Sequence, residues 1–251
     1  VPSITALPTA NMEAVVKAAQ IDPRRFDTAL TPGARDSVLL VERALNARGL
    51  LASSYIDGHF GTRTIEAYAA YQRSLGYTGL DASGLPGRTS LTTLGQNRFT
   101  VTYQISPGSR ITYHGATMNT RTKAMVVEAE RLLGRTLTIT QGSYNPGNPG
   151  SGGTHDGGGV LDISVSGMSD STRTTVVRTL RQLGFAAWLR TPAQGFAYHI
   201  HAVAISDTDM SPAAQHQAGD YYLGMNGLAN RGPDDGPQVT KITWEEYQRT
   251  H

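Results

Sequence analysis

Two short stretches of the chain gather residue types that bind metals and move protons. The first is Gly153-Thr154-His155-Asp156-Gly157-Gly158-Gly159-Val160-Leu161-Asp162-Ile163; the second is Tyr198-His199-Ile200-His201. Asp162 falls in an apolar run, Val160 to Val165, that reads as a strand. A carboxylate buried there without a partner costs several kcal/mol, which a metal ion or an arginine offsets. The glycines let the backbone fold back so that His155 can meet Asp162. His199 and His201 stand two apart in a strand and therefore share a face. The chain has seven histidines, and three of them lie in these two motifs. Imidazoles with a carboxylate are the nitrogen and oxygen donors that zinc prefers, so the two motifs together point to Zn2+.

The elements that must position these residues divide near residue 105. Before it the pattern is helical. Asp36 or Ser37 caps a helix with Val38, Val41, Ala44 and Leu45 on one face and a stop at Gly49. A second helix follows Gly61, with Ile65, Tyr68, Tyr71 and Leu75 on one stripe and Gly76 at its end; a third runs from Thr89 to Leu94. A weak repeat, Gly58-x-x-Gly61-x-x-Thr64 and then Gly84-x-x-Gly87-x-x-Ser90, marks two glycine turns that each open a helix. The expectation for residues 1–105 is an all-α three-helix bundle.

Residues 106–251 mix the two periods. Asn119 caps a helix with Met125, Ala129, Leu132 and Leu133 aligned and Gly134 as its stop; a strand from Thr136 to Thr140 follows. The glycine-rich loop 147–153 leads to the strand Val160–Val165. A helix starting at Asp170 carries Val176, Leu180 and Leu183 inward. Phe185–Leu189 and Phe196–Ile205 read as strands, Ser211-Pro212 opens a helix through Leu223, and the tail after Gly224 reads as irregular. Strands joined partly by helices and partly by loops make this an α+β domain.

Composition narrows the function. The 251 residues are 39% hydrophobic and 17% charged, enough apolar material for real cores. A net charge of +2 gives no reason to expect nucleic acid as the main partner. There is no cysteine, which excludes disulfides, thiolate metal sites and cysteine nucleophiles. No apolar run reaches the roughly 18 residues of a membrane span. His-Glu-x-x-His and Gly-x-Ser-x-Gly do not occur, and the glycine loop lacks the Gly-Lys-Ser/Thr of a phosphate cradle. If the chain is exported, Val1 is the start of a mature form with its signal removed.

Residues 38–94 resemble the peptidoglycan-binding domain family. The match rests on Val41-x-x-Ala44-Leu45, Asp57-Gly58-x-Phe60-Gly61-x-x-Thr64-x-x-Ala67, Tyr71-Gln72, Gly76 and Gly84-x-x-Gly87-x-x-Ser90. That resemblance implies binding to bacterial cell-wall glycopeptide. Residues 105–210 resemble the zinc D-Ala-D-Ala carboxypeptidase family of peptidoglycan metallopeptidases, through Gly153, His155, Gly158, Asp162, His199 and His201. This second resemblance implies a small antiparallel sheet flanked by helices and carrying the zinc site, with His155, Asp162 and His201 holding zinc and His199 catalytic beside water and substrate. It also implies an extracellular, cell-wall enzyme that cuts D-Ala-D-Ala, stem or cross-link peptide bonds.

Two departures stand against that pattern. Gln194 to Tyr198 hold no acid or histidine where the family has one, which leaves the general base unassigned, with Asp156 or a tail residue as candidates. The turn Gln141-Gly142-Ser143-Tyr144-Asn145 lacks the arginine that grips a substrate carboxylate in the family. Gln141 and Tyr144 are the expected substrate contacts there, and Arg190 is read as a surface residue more readily than as a substitute. The missing clamp tilts the reading toward an endopeptidase. The alternatives are a non-catalytic wall-binding protein with a structural zinc site, and an enzyme acting on a non-wall amide.

Overall fold

The structure, a computed structural model, describes residues 6–26 and 28–251. The chain forms two compact units, residues 1–106 and 107–251. The described residues make an α+β fold with eight α-helices and three small sheets, two of them two-stranded and one four-stranded and antiparallel.

The first unit contains β1 (Thr9–Asn11), α1 (Met12–Ile21), α2 (Arg35–Asn46), α3 (Thr62–Ser74), α4 (Arg88–Leu94) and β2 (Thr100–Thr102). This corrects the expected three-helix bundle: the unit has a fourth helix, and β1 pairs in parallel with β2. The physical reason lies in residues 9–21. Asn11 caps α1, its side chain accepting from the Ala14 amide at 3.1 Å. Met12, Val15, Val16 and Ala19 follow the i, i+3, i+4, i+7 spacing and are buried, and α1 packs on α2. Without α1, the stripe of Val38, Val41 and Leu45 on α2 would stand partly in water. In α3, Tyr68 and Tyr71 are buried as expected, but Leu75 is exposed and Thr64 and Ala67 complete the inner face.

The second unit contains β3 (Arg110–Tyr113), β4 (Ala116–Asn119), α5 (Thr120–Leu133), β5 (Ile139–Gln141), β6 (Val160–Ser164), α6 (Asp170–Gln182), β7 (Phe185–Arg190), β8 (His199–Ala204), α7 (Pro212–Tyr222) and α8 (Trp244–Thr250). β3 and β4 form a hairpin; the four-stranded sheet runs β5-β6-β8-β7. Alternation sorts this sheet into two faces. Leu161, Ile163, Phe185, Ala187, Ile200, Ala202 and Ala204 join one core with Met125, Val126 and Ala129 of α5 and Val176, Val177 and Leu180 of α6. The opposite face carries Asp162, Trp188, Arg190, His199 and His201. Leu132, expected inward on α5, is 47% exposed, whereas Val126 is buried. The tail is not irregular throughout: Thr243 caps α8, and Trp244 and Tyr247 enter the core. A bidentate ion pair between Arg181 and Asp234, both sides buried, fastens the tail to α6.

One carboxyl group in the first unit sets a pH dependence. Glu42 is fully buried on α2 and accepts from the amides of Asp57 and Gly58 at 3.1 and 2.9 Å and from the Thr64 hydroxyl at 3.3 Å. Burial outweighs those hydrogen bonds and pushes its pKa up to about 8, from an ordinary 4.5. A group that is harder to ionise folded than unfolded stabilises the fold below its unfolded pKa and loses that contribution as pH rises through the folded one. The first unit is therefore expected to weaken from about pH 4.5 to about pH 8, by on the order of a few kcal/mol. Glu42→Gln should flatten that slope. Urea unfolding read from NMR cross-peaks of α2 and α3 checks this; an equal slope in the variant contradicts it.

Candidate metal centre

β5, β6, β8 and β7 lie side by side so that Gln141, Asp162, His201 and Trp188 occupy one row across the whole sheet. Directly paired residues share a face. The next row on that face holds Ser164, His199 and Arg190. Strand period alone thus brings Asp162, His199 and His201 together. His155 comes from the loop before β6, and main-chain hydrogen bonds place it: the Tyr144 amide donates to Gly157 O at 2.8 Å and the Asn145 amide to His155 O at 2.9 Å. Behind the loop, Gly158 and Gly159 leave no room for a side chain. A Cβ on Gly159, whose φ is +80°, would stand 2.8 Å from Asp207 Cβ.

The result is a ring of donors around one carboxylate. Asp162 Oδ1 lies 3.3 Å from Nε2 of His155, 2.8 Å from Nδ1 of His201 and 3.6 Å from Nε2 of His199. His155 and His201 are buried and Asp162 is half-buried. Each imidazole uses its other nitrogen elsewhere. Nδ1 of His155 meets Gly142 O at 2.9 Å, Nδ1 of His199 meets Ala197 O at 2.7 Å, and Nε2 of His201 meets Gln217 Oε1 at 2.8 Å. A carbonyl oxygen only accepts, so in each case the nitrogen facing it carries the proton. In the neutral rings, the nitrogens that face Asp162 are then bare lone pairs.

Burial holds His201 below the usual histidine range, against the pull of the Asp162 carboxylate beside it. Burial works against the Asp162 carboxylate too, but N–H donation and positive charge on the side of His155 and His201 outweigh it and hold the carboxyl well below its usual range, which requires a proton or a cation between the carboxylate and the rings. An ionised carboxylate and converging lone pairs repel one another unless positive charge sits among them. A proton on one ring or a divalent cation supplies it, and one donor atom each from His155, Asp162 and His201 lies within 4.8 Å of the other two. The donor set therefore fits a metal ion. His199 lies outside this triad, as a neighbour to it.

No family model matches the chain, and no curated protein matches it.

The remaining expected residues divide. Gln141 stands beside Asp162; its Oε1 accepts from Asn148 at 3.0 Å, and its Nε2 is buried without a hydrogen-bond partner. Tyr144 points elsewhere. Its hydroxyl donates to Asp209 at 2.6 Å and accepts from Asn119 at 3.3 Å, with Arg110 over its ring, so it braces the glycine loop. The Asp156 carboxylate packs against Gly153 within the loop. Arg190 is not a surface residue: it is 2% exposed, lies over Trp188, and donates from Nη1 to Asn226 O at 2.7 Å. Burial pushes its pKa down to about 10. Register pairing explains this, since Arg190 sits opposite His199 on the sheet's polar face. Gln217 carried no signal in the sequence, being one polar residue on a helix with little apolar periodicity.

His155→Ala or Asp162→Ala should lower bound divalent metal from about one ion per chain to a small fraction, because each removes one of three ligands. His199→Ala should keep it. Elemental analysis of the desalted proteins decides; full metal in either ligand variant contradicts the assignment.

Proposed function

We propose that this protein is a secreted zinc peptidase that hydrolyses peptide bonds of bacterial peptidoglycan, held to the cell wall by its first unit. The single observation that carries the reading is the convergence of His155, Asp162 and His201, one donor atom from each lying within 4.8 Å of the other two, which is the three-ligand set of a catalytic zinc site. The two sequence resemblances supply the substrate class and the wall-binding role. No helix among the described residues is long and apolar enough to cross a membrane.

The residues divide the work by position. His155 through Nε2, His201 through Nδ1 and Asp162 through its carboxylate would hold the ion. A zinc ion there would supply Lewis acidity toward a scissile carbonyl and a water. His199, with its Nδ1 proton fixed on Ala197 O, keeps Nε2 available to take a proton or, once protonated, to donate to a developing oxyanion. Gln141 adds a neutral amide donor beside Asp162 for a peptide carbonyl. The bonds in view are D-Ala-D-Ala, stem and cross-link linkages.

A second reading rests on His199. Its Nε2 lies 3.6 Å from Asp162, close enough for a small ring shift to close the coordination sphere. A closed four-ligand site is structural, and the chain would then be a non-catalytic wall-binding protein.

Defined muropeptides incubated with the zinc-loaded protein should yield new fragments by mass spectrometry, and a strong chelator should abolish them. His199→Ala should retain zinc and lose turnover by roughly 100-fold or more. Cleavage that persists in chelator contradicts the proposal. Loss of zinc in His199→Ala, with no fragments from the wild type, establishes the structural reading instead.

A further inference from the structure

His155 and His201 present different nitrogens to Asp162, Nε2 from the first and Nδ1 from the second. For His155 a main-chain carbonyl, Gly142 O, sets the choice. For His201 the partner is a side chain, Gln217 of α7, and an amide can present either its oxygen or its NH2 group. Gln217 has no such freedom here. Its Nε2 donates to Gly227 O at 3.0 Å, which leaves Oε1 to face His201 at 2.8 Å. Gly227 is itself confined: its φ is +67°, and a Cβ there would stand 2.8 Å from Cη2 of Trp188. Trp188 in turn stacks on His201, their rings 19° apart and 6.5 Å between centroids. Arg190 donates to the carbonyl of the adjacent Asn226 and so holds the same turn.

We infer that Gln217 is a positioning residue that fixes Nδ1 of His201 as the metal-binding atom, with the polarity of the chain of hydrogen bonds set at Gly227. Protons run in one direction, from His201 Nε2–H to Gln217 and from the Gln217 amide to Gly227 O. The inference rests on the proposed zinc site and adds the residue that orients one of its ligands. A neutral amide also orients the ring without adding charge. A carboxylate at this position would make the imidazole a stronger donor and reduce the Lewis acidity left for a substrate.

The test uses the full chain and two substitutions. Gln217→Met fills nearly the same space but cannot accept from His201. Gln217→Glu keeps the acceptor. Zinc affinity by chelator competition should fall about 10- to 100-fold in Gln217→Met and recover in Gln217→Glu, with peptide cleavage staying low in the latter. In the metal-free protein, ring 15N shifts should show His201 protonated at Nε2 in the wild type and as a mixture of tautomers in Gln217→Met. Thermal melting of the metal-free variants checks that the fold is kept. Equal zinc affinity and unchanged 15N shifts in Gln217→Met overturn the inference and leave the zinc site standing. A wild type that takes up no zinc overturns both.

Discussion

The polar face of the four-stranded sheet is organised by a single electrostatic requirement. One ionised carboxylate, Asp162, faces imidazole nitrogens whose protons are committed elsewhere, to Gly142 O, Ala197 O and Gln217 Oε1. Such a cluster is relieved by positive charge, either a proton on one ring or a bound cation. The carboxylate and lone pairs repel when nothing positive lies between them, whereas a divalent cation among them would be attracted to each donor. The surrounding architecture serves to keep those lone pairs aimed. The apolar face of the sheet is buried against α5 and α6, so the strands cannot slip by one residue without exposing that core and moving Asp162 and His201 to the wrong side.

The loop that brings His155 is held with equal care from behind. Asp207 is buried, accepts from Asn119 at 2.7 Å and Thr122 at 3.3 Å, and its other carboxylate oxygen accepts from the Asp209 amide at 3.0 Å. Burial raises its pKa. Asp209 holds the Tyr144 hydroxyl and, through its main-chain oxygen, the Gly158 amide. Asn119 at the same time caps α5. One polar network thus ties the start of a helix, the end of β8 and the glycine loop into a support for His155. The glycines are required for close approach of these segments.

Much of the centre was legible in the sequence because strand parity is a strong rule. His199 and His201 had to share a face, and Asp162 in an apolar strand had to have a partner. The anchoring acceptors were not legible. Gly142 and Ala197 act through main-chain oxygens that have no sequence signature, and Gln217 comes from a helix sixteen residues beyond His201. Arg190 was misplaced because an arginine ending a strand reads as exposed when the strand's neighbours are unknown. In the first unit, the helices with strong apolar stripes are legible in the sequence, whereas α1, despite its cap and spacing, lies outside the expected bundle. β1 and β2 are each three residues long and carry no periodicity to read.

The central claim is that the two imidazoles and the carboxylate surround a metal ion. The most direct measurement is a crystal structure of the zinc-soaked protein with anomalous data collected at the zinc edge. The account predicts one strong peak bonded to Nε2 of His155, Nδ1 of His201 and a carboxylate oxygen of Asp162, at about 2.0–2.2 Å from each. A map with no peak among those three side chains, or with zinc bound only at other residues, would contradict it.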